Sequence, residues 1–255
     1  MKILVLADVH GNVEALNSII AARLGYEELF HIGDLVDYGP DPLDCIAKLK
    51  DCIHVRGNHD EAIVYNTLPH PSLYGPYKDF ARETVSISRG LLGAKGIEWL
   101  SSLPFTNEFR KNGKVFYLVH GTPRSPLYEY FNPDTADAEI WKTIEMMAAD
   151  FVIMGHTHRP FVKKLRNKTV FNPGSVGQPR DGDWRASFAL VDTAEGSVSL
   201  LKSTYNVELV CGRLKKRGFP SYLQYVLRTG EMPRIDKHGN VLQGTLVMDS
   251  LKIGS

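Results

Sequence analysis

The stretch Lys2-Ile3-Leu4-Val5-Leu6-Ala7-Asp8-Val9-His10-Gly11-Asn12 decides how the rest of the chain is read. A short apolar run ends abruptly in a polar loop. Behind the loop, Val13, Leu16, Ile19, Ile20 and Leu24 recur at helical spacing, and Gly25 is placed to end that helix. The same rhythm then repeats. Leu29-Phe30-His31-Ile32 reads as a strand running into Gly33-Asp34-Leu35-Val36-Asp37. A helix follows over Asp41 to Asp51, and Ile53-His54-Val55-Arg56 is a strand running into a Gly57-Asn58-His59-Asp60 loop. Strand, loop, helix, strand is the pattern of parallel pairing, which gathers the polar loops at the carboxyl edge of the sheet, where open α/β sheets bind ligands.

Working outward, residues 61 to 114 break this rhythm. A loop rich in proline, tyrosine and glycine (Leu68 to Tyr77) leads to helical stretches at Lys78 to Arg89 and around Ile97-Glu98-Trp99-Leu100. The segment reads as a helical insertion beside the polar loops. Val115-Phe116-Tyr117-Leu118-Val119 resumes the sheet and delivers His120-Gly121. Asp137 to Ala149 reads as a helix, and Phe151-Val152-Ile153-Met154 delivers Gly155-His156-Thr157-His158. Short alternating strands follow to about Tyr205. Residues 1–206 are therefore expected to form one domain carrying the insertion. Residues 207–255 would form a helical and irregular extension, with helices near Val207 to Arg217 and Tyr222 to Arg228 and a turn at residues 237–240.

The bulk properties exclude several classes. The 255 residues carry 30 basic and 29 acidic side chains, so no global field draws the chain to nucleic acid or membrane. The cluster Arg213-Lys215-Lys216-Arg217 reads as a solvated face, and no extended basic stripe with interleaved aromatics is present. No run approaches a transmembrane helix, and the opening apolar run is too short for a signal-peptide core. Cys45, Cys52 and Cys211 lack close metal-binding spacing and read as free thiols, which fits a cytoplasmic protein.

Five of the nine histidines (His10, His59, His120, His156 and His158) follow apolar runs inside glycine-bearing polar loops. His31 and His54 lie within strands and read as structural; His70 and His238 read as surface residues. Glycine beside a potential ligand lets the backbone turn sharply, so that side chains from several loops can converge. Carboxylate and amide oxygens mixed with imidazoles suit manganese, iron, nickel or zinc, and the absence of cysteine argues against a structural zinc site.

In this order and spacing, Asp-x-His, Gly-Asp-x-x-Asp, Gly-Asn-His-Asp, His-Gly and Gly-His-x-His resemble the motifs of the calcineurin-like metallophosphoesterase superfamily. Asn172-Pro173-Gly174-Ser175-Val176-Gly177 is similar to a segment of its small bacterial and archaeal members, among them proteins related to diadenosine tetraphosphatases. The resemblance implies an α/β fold, a four-layer α/β/β/α sandwich of two mixed sheets. It implies two divalent metal ions, manganese foremost, with iron, nickel or zinc also accommodated. Asp8, His10 and His158 would hold the first ion, Asn58, His120 and His156 the second, and Asp34 would bridge both, leaving a bridging hydroxide to attack phosphorus. His59 would protonate the leaving oxygen, with Asp37 orienting its ring.

At one place the chain departs from the protein-phosphatase branch: Tyr38 stands where an arginine there grips the phosphate. The departure turns the expectation toward small phosphodiesters or nucleotide-like substrates, with Asn12, Tyr38 and Arg180 as candidate contacts and Arg56 and Arg159 as further sources of a guanidinium. Tyr65, Tyr74, Tyr77 and Trp99 are candidates for stacking on a base, although Trp99 also fits a core position. Dinucleoside polyphosphates and phosphomonoesters remain alternative substrates. A non-catalytic protein-interaction scaffold of the same fold remains an alternative function.

Overall fold

Lys2–Leu6 forms the strand β1, and the alternation of side chains along it divides the interior in two. Ile3, Val5 and the following Ala7 join Phe30, Phe116, Phe151 and Phe171 in one cluster. Leu4 and Leu6 join Leu16, Ile19 and Leu49 in another. A strand apolar on both faces belongs between two layers. The computed structural model describes residues 1–245 except Tyr74, Lys237 and Gly239.

The first sheet runs in the order β10 (Ser197–Ser203), β9 (Ala186–Asp192), β1, β2 (Glu28–Ile32) and β3 (Ile53–Val55). Strands β1, β2 and β3 are parallel, while β9 is antiparallel to both β1 and β10. The second sheet runs β4 (Thr106–Lys111), β5 (Lys114–Val119), β6 (Phe151–Ile153), β8 (Lys168–Asn172) and β7 (Phe161–Leu165), with β5, β6 and β8 parallel. The Phe-rich cluster fills the space between the sheets. Outside the first sheet pack α1 (Val13–Ala21), α2 (Pro42–Leu49) and α4 (Gly75–Ser101). Outside the second packs α5 (Asp137–Ile144), whose Ile140 and Ile144 meet Val115, Val119, Val152 and Val170. This is the four-layer α/β/β/α sandwich of two mixed sheets that the sequence suggested.

Several elements differ from the sequence reading. Asn58 and His59 do not lie in a loop but open the helix α3 (Asn58–Tyr65). The stretch 61–114 is not helical throughout, because Thr106–Lys111 pairs with β5 as a strand. The two helical stretches expected there form one element, α4, bent where Gly93 adopts φ 62°. Helix α1 ends at Ala21, before Gly25. Helix α5 stops at Ile144 instead of reaching Ala149, and the Lys168 ammonium donates to the carbonyls of Met147 and Ala149 just beyond it.

Beyond β10, α6 (Val207–Lys216) and α7 (Tyr222–Thr229) pack through Val210, Leu214, Leu223 and Val226 against Tyr38, Phe80, Ile87 and Leu91. Arg213, expected on a solvated face, reaches Glu14 at 2.9 Å and Asp41 at 3.0 Å. A short antiparallel pair, β11 (Pro233–Ile235) and β12 (Val241–Thr245), follows; two residues of the expected turn between them, Lys237 and Gly239, lie outside the described residues.

Candidate metal centre

All the motif loops meet at the carboxyl ends of the parallel strands. Asp8 and His10 follow β1, Asp34 follows β2, Asn58 follows β3, His120 follows β5, and His156 and His158 follow β6. Asp8, His10, Asp34, Asp37, Tyr38, His156 and His158 all adopt left-handed φ between 47° and 70°. Such a conformation costs about 1–3 kcal/mol at a non-glycine residue and persists only where the surroundings enforce it. Here the surroundings are hydrogen-bonded loops. Ser175 donates its hydroxyl to Asp8 O at 2.7 Å, Gly177 N donates to the same oxygen at 3.0 Å, and His10 N donates to Asp34 O at 3.0 Å. A side chain at Gly57 would fall on the Asp34 carboxylate and amide, so the approach of these two loops requires glycine.

Asp60, to which the sequence reading assigned no part, ties the loops further. Its carboxylate accepts from Asp34 N, Leu35 N, Val36 N and Gly57 N at 2.9–3.2 Å. The amino end of α3 adds a donor: His59 N gives its proton to Asp34 Oδ1 at 2.8 Å.

The candidate ligands converge in two overlapping groups, Asp8–His10–Asp34–His158 and Asp34–His120–His156, each with donor atoms within 4.8 Å of one another. His10 and His158 donate Nδ1–H to the carbonyls of Val36 (3.2 Å) and Gln178 (2.5 Å). A carbonyl can only accept, so in the neutral ring Nε2 carries the lone pair. These two Nε2 atoms face each other at 3.2 Å. Two lone pairs so placed repel unless a cation lies between or beside them. His120 follows the same rule: Nδ1 donates to Ile32 O at 2.7 Å, and Nε2 meets Asn58 Oδ1 at 2.9 Å and Asp34 Oδ2 at 3.2 Å. Asp34 Oδ2 and His156 Nε2 are buried without hydrogen bonds. The residues therefore fit a metal centre. Beside it, His59 Nδ1 and Asp37 Oδ2 are 2.7 Å apart, and Ser88 of α4 donates to the other Asp37 oxygen at 3.2 Å.

This arrangement has relatives. Residues 1–196 match the calcineurin-like phosphoesterase superfamily domain. The chain belongs to that superfamily. It is thereby a metal-dependent hydrolase of phosphoric esters. An uncharacterized protein of Methanocaldococcus jannaschii is 29% identical, with 87% of this chain and 95% of that protein covered. Phosphodiesterase YfcE of Escherichia coli is 24% identical, covering 79% of this chain and 92% of its own. The crystal structure of a metallophosphoesterase from Sphaerobacter thermophilus superposes with a TM-score of 0.76 at 27% identity, covering 90% of this chain and 99% of that one.

Around this phosphoesterase centre the structure separates the other candidates. Tyr38 lies against His10 and His59, with ring centroids 5.0 and 4.5 Å away. Arg180 donates its amide to His158 O and its Nη2 to Gln178 Oε1, while its Nε is buried without a partner. Its charge acts on Asp8, His10, Tyr38 and Tyr130. The Arg159 Nε donates to the Arg180 carbonyl, and Arg56 is engaged with Glu61 and the Phe105 ring. Asn12 caps α1 at Ala15 N and donates to Gly177 O, and it lines a cavity together with His10 and Tyr38. Tyr65 is exposed, Tyr77 packs toward the tail, Trp99 packs on the core beside His54, and Tyr74 lies outside the described residues.

Two aromatic residues at the centre were not among the site candidates of the sequence. His70, expected on the surface, is half-buried with its ring 6.2 Å from that of His156, and Tyr130 stacks directly on His156 at 4.0 Å. Neither carries a local signal, because both come from irregular loops. Electrostatics follow from burial. It holds His10, His156 and His158 well below the usual imidazole range, in the neutral form that ligates metals. Burial opposes charge on Asp34 and His120 as well. Their mutual attraction prevails, keeping the Asp34 carboxyl low and lifting His120 to about 9. Among the described residues, no helix is long and apolar enough to cross a membrane.

Proposed function

We propose that this phosphoesterase holds two divalent ions and cleaves phosphodiester bonds of a small or nucleotide-like substrate. The observation that carries the reading is the convergence of acceptor atoms with no proton between them: His10 Nε2 against His158 Nε2, beside Asp34 Oδ2 and His156 Nε2, which are buried without hydrogen bonds. Asp8, His10 and His158 would hold one ion, Asn58, His120 and His156 the other, with Asp34 common to both. Mixed oxygen and imidazole donors suit manganese, and also iron, nickel or zinc. Such ions would polarise the phosphoryl oxygens and activate a water for in-line attack.

The chain's own residues supply the rest. Asp37 and Ser88 anchor the Nδ1 side of His59, so the opposite ring nitrogen remains to give a proton to the departing oxygen. Arg180 and Tyr38 would flank the phosphoryl group, the guanidinium arriving beside the Gly-His-x-His loop and not from the Gly-Asp loop where Tyr38 stands. That relocation, with the likeness to a protein named phosphodiesterase, favours diesters over phosphoproteins.

Hydrolysis of bis-p-nitrophenyl phosphate tests the reading. Turnover should require added manganese, nickel, iron or zinc and vanish with chelator. No turnover by folded protein with any of these metals would overturn it and leave the scaffold function. Parallel assays on dinucleoside polyphosphates and phosphomonoesters check the diester preference; faster turnover of either would replace it.

A further inference from the structure

Four imidazoles enter the centre, and three are held alike. His10, His120 and His158 each have Nδ1 fixed by a main-chain carbonyl, which sets ring rotation and tautomer together. His156 is the exception. Among the described residues no hydrogen bond holds its ring, and its Nε2 is buried without a partner. The terminal torsion of a histidine is broad, so a ring left without an anchor does not keep its nitrogen on a metal.

What lies against His156 is a face. The Tyr130 ring sits 4.0 Å from it, with the planes 14° apart. His70 backs the pair, 5.7 Å from Tyr130 and 6.2 Å from His156, and is itself fixed by Nε2–H to Tyr128 O and by Ser72 N–H to its Nδ1. The loop bearing Tyr130 begins at His120 and is cross-braced. Gly121 N donates to Pro126 O at 2.7 Å, and both the Thr122 hydroxyl and the Arg124 guanidinium bind Glu129. One loop thus delivers one imidazole directly and clamps another. Burial pushes the Tyr130 phenol up to about 12, so the residue remains neutral and acts through its ring.

We infer that Tyr130 is a positioning residue: by stacking on His156 it takes the place of the carbonyl anchor that the other imidazoles have, and it thereby sets the affinity of the second ion. The inference rests on the two-metal reading above. Its test is metal binding, not turnover. Metal-free wild-type protein titrated with manganese should take up two ions and show the electron paramagnetic resonance of a coupled pair. Tyr130→Phe, which keeps the face and loses the hydroxyl, should match it. Tyr130→Leu should bind the first ion normally and the second about 10- to 100-fold more weakly, with the uncoupled six-line spectrum at one equivalent, as expected for loss of a residue that orients a ligand. If the leucine variant does not fold, Tyr130→Met decides by the same criterion. Wild-type binding of both ions by the leucine or methionine variant overturns the inference, as does an equal loss in Tyr130→Phe. A wild-type protein that binds no pair of ions overturns the two-metal reading together with it.

Discussion

The floor of the centre and its rim are built by different means. On the floor, Asp8, Asp34, His10, His120 and His158 sit on turns tied to main-chain groups, with Asp60 and Ser175 fastening one loop to the next. On the rim, Tyr38, Tyr130, His70 and Arg180 come from loops far apart in sequence and touch the floor mainly by ring faces and single side-chain bonds. The difference shows how the work is divided. The floor must be held by the backbone, because it sets the Asp8 and Asp34 carboxylates near each other and the His10 and His158 lone pairs face to face, and these pairs repel until a cation arrives. The rim, which we propose meets the substrate, is free to be assembled from side chains alone.

Breaking the floor should cost most. Asp34→Asn removes the carboxylate common to both groups, and activity should fall roughly 10³-fold or more together with loss of one bound ion. Metal analysis beside the diesterase assay checks both; an active variant with two ions would place the shared ligand elsewhere. His59 tests the boundary, since its amide serves the floor and its ring faces the rim. His59→Ala should lower kcat by about 10²–10⁴-fold while both ions stay bound. Unchanged kcat would remove the proton-donor role.

Arg180 tests the rim alone. Arg180→Met should raise KM and weaken inhibition by inorganic phosphate about 10- to 100-fold, the scale of a hydrogen bond to a charged group, with kcat less affected. An unaltered phosphate inhibition constant would return Arg180 to a purely structural part. The smallest effect belongs to a histidine pair outside both regions. His31 and His54 are paired in register on β2 and β3, with their Nδ1 atoms 3.4 Å apart, and burial holds both below the usual 6.5. They are neutral in the folded chain and protonate when it unfolds in acid. Their contribution is therefore complete above about pH 6.5 and is lost as pH falls below it. Thermal melts at pH 7.5 and 5.5 should show a shallower acid loss for His31→Phe than for wild type, by at most about 1.4 kcal/mol per pH unit and proton. Parallel slopes would show that the pair carries no such linkage.

Much of the floor could be read from the chain because its order follows local rules. An apolar strand such as Ile3 to Ala7 followed by a glycine-bearing loop places its polar residues at the sheet edge, so Asp8, His10, Asp34, His120, His156 and His158 were all visible as candidates. Asp60 was visible but silent: its four backbone partners come from two loops whose approach no spacing reveals. Ser88 was hidden for the same reason, lying 51 residues from the Asp37 it supports. The capping part of Asn12 was hidden because an asparagine in a ligand loop looks the same whether or not it caps the next helix.

By itself the sequence determined the strand–loop–helix rhythm and the donor chemistry gathered at the sheet edge, since periodicity and residue type act over a few residues; the four-layer sandwich was what the family resemblance implied. Only the tertiary structure decided that His70 turns inward, that Tyr130 lies flat on His156 and that Arg180, among three candidate arginines, stands at the centre. Those placements depend on how distant loops pack across the top of two sheets, and contacts of that kind leave no period in the chain.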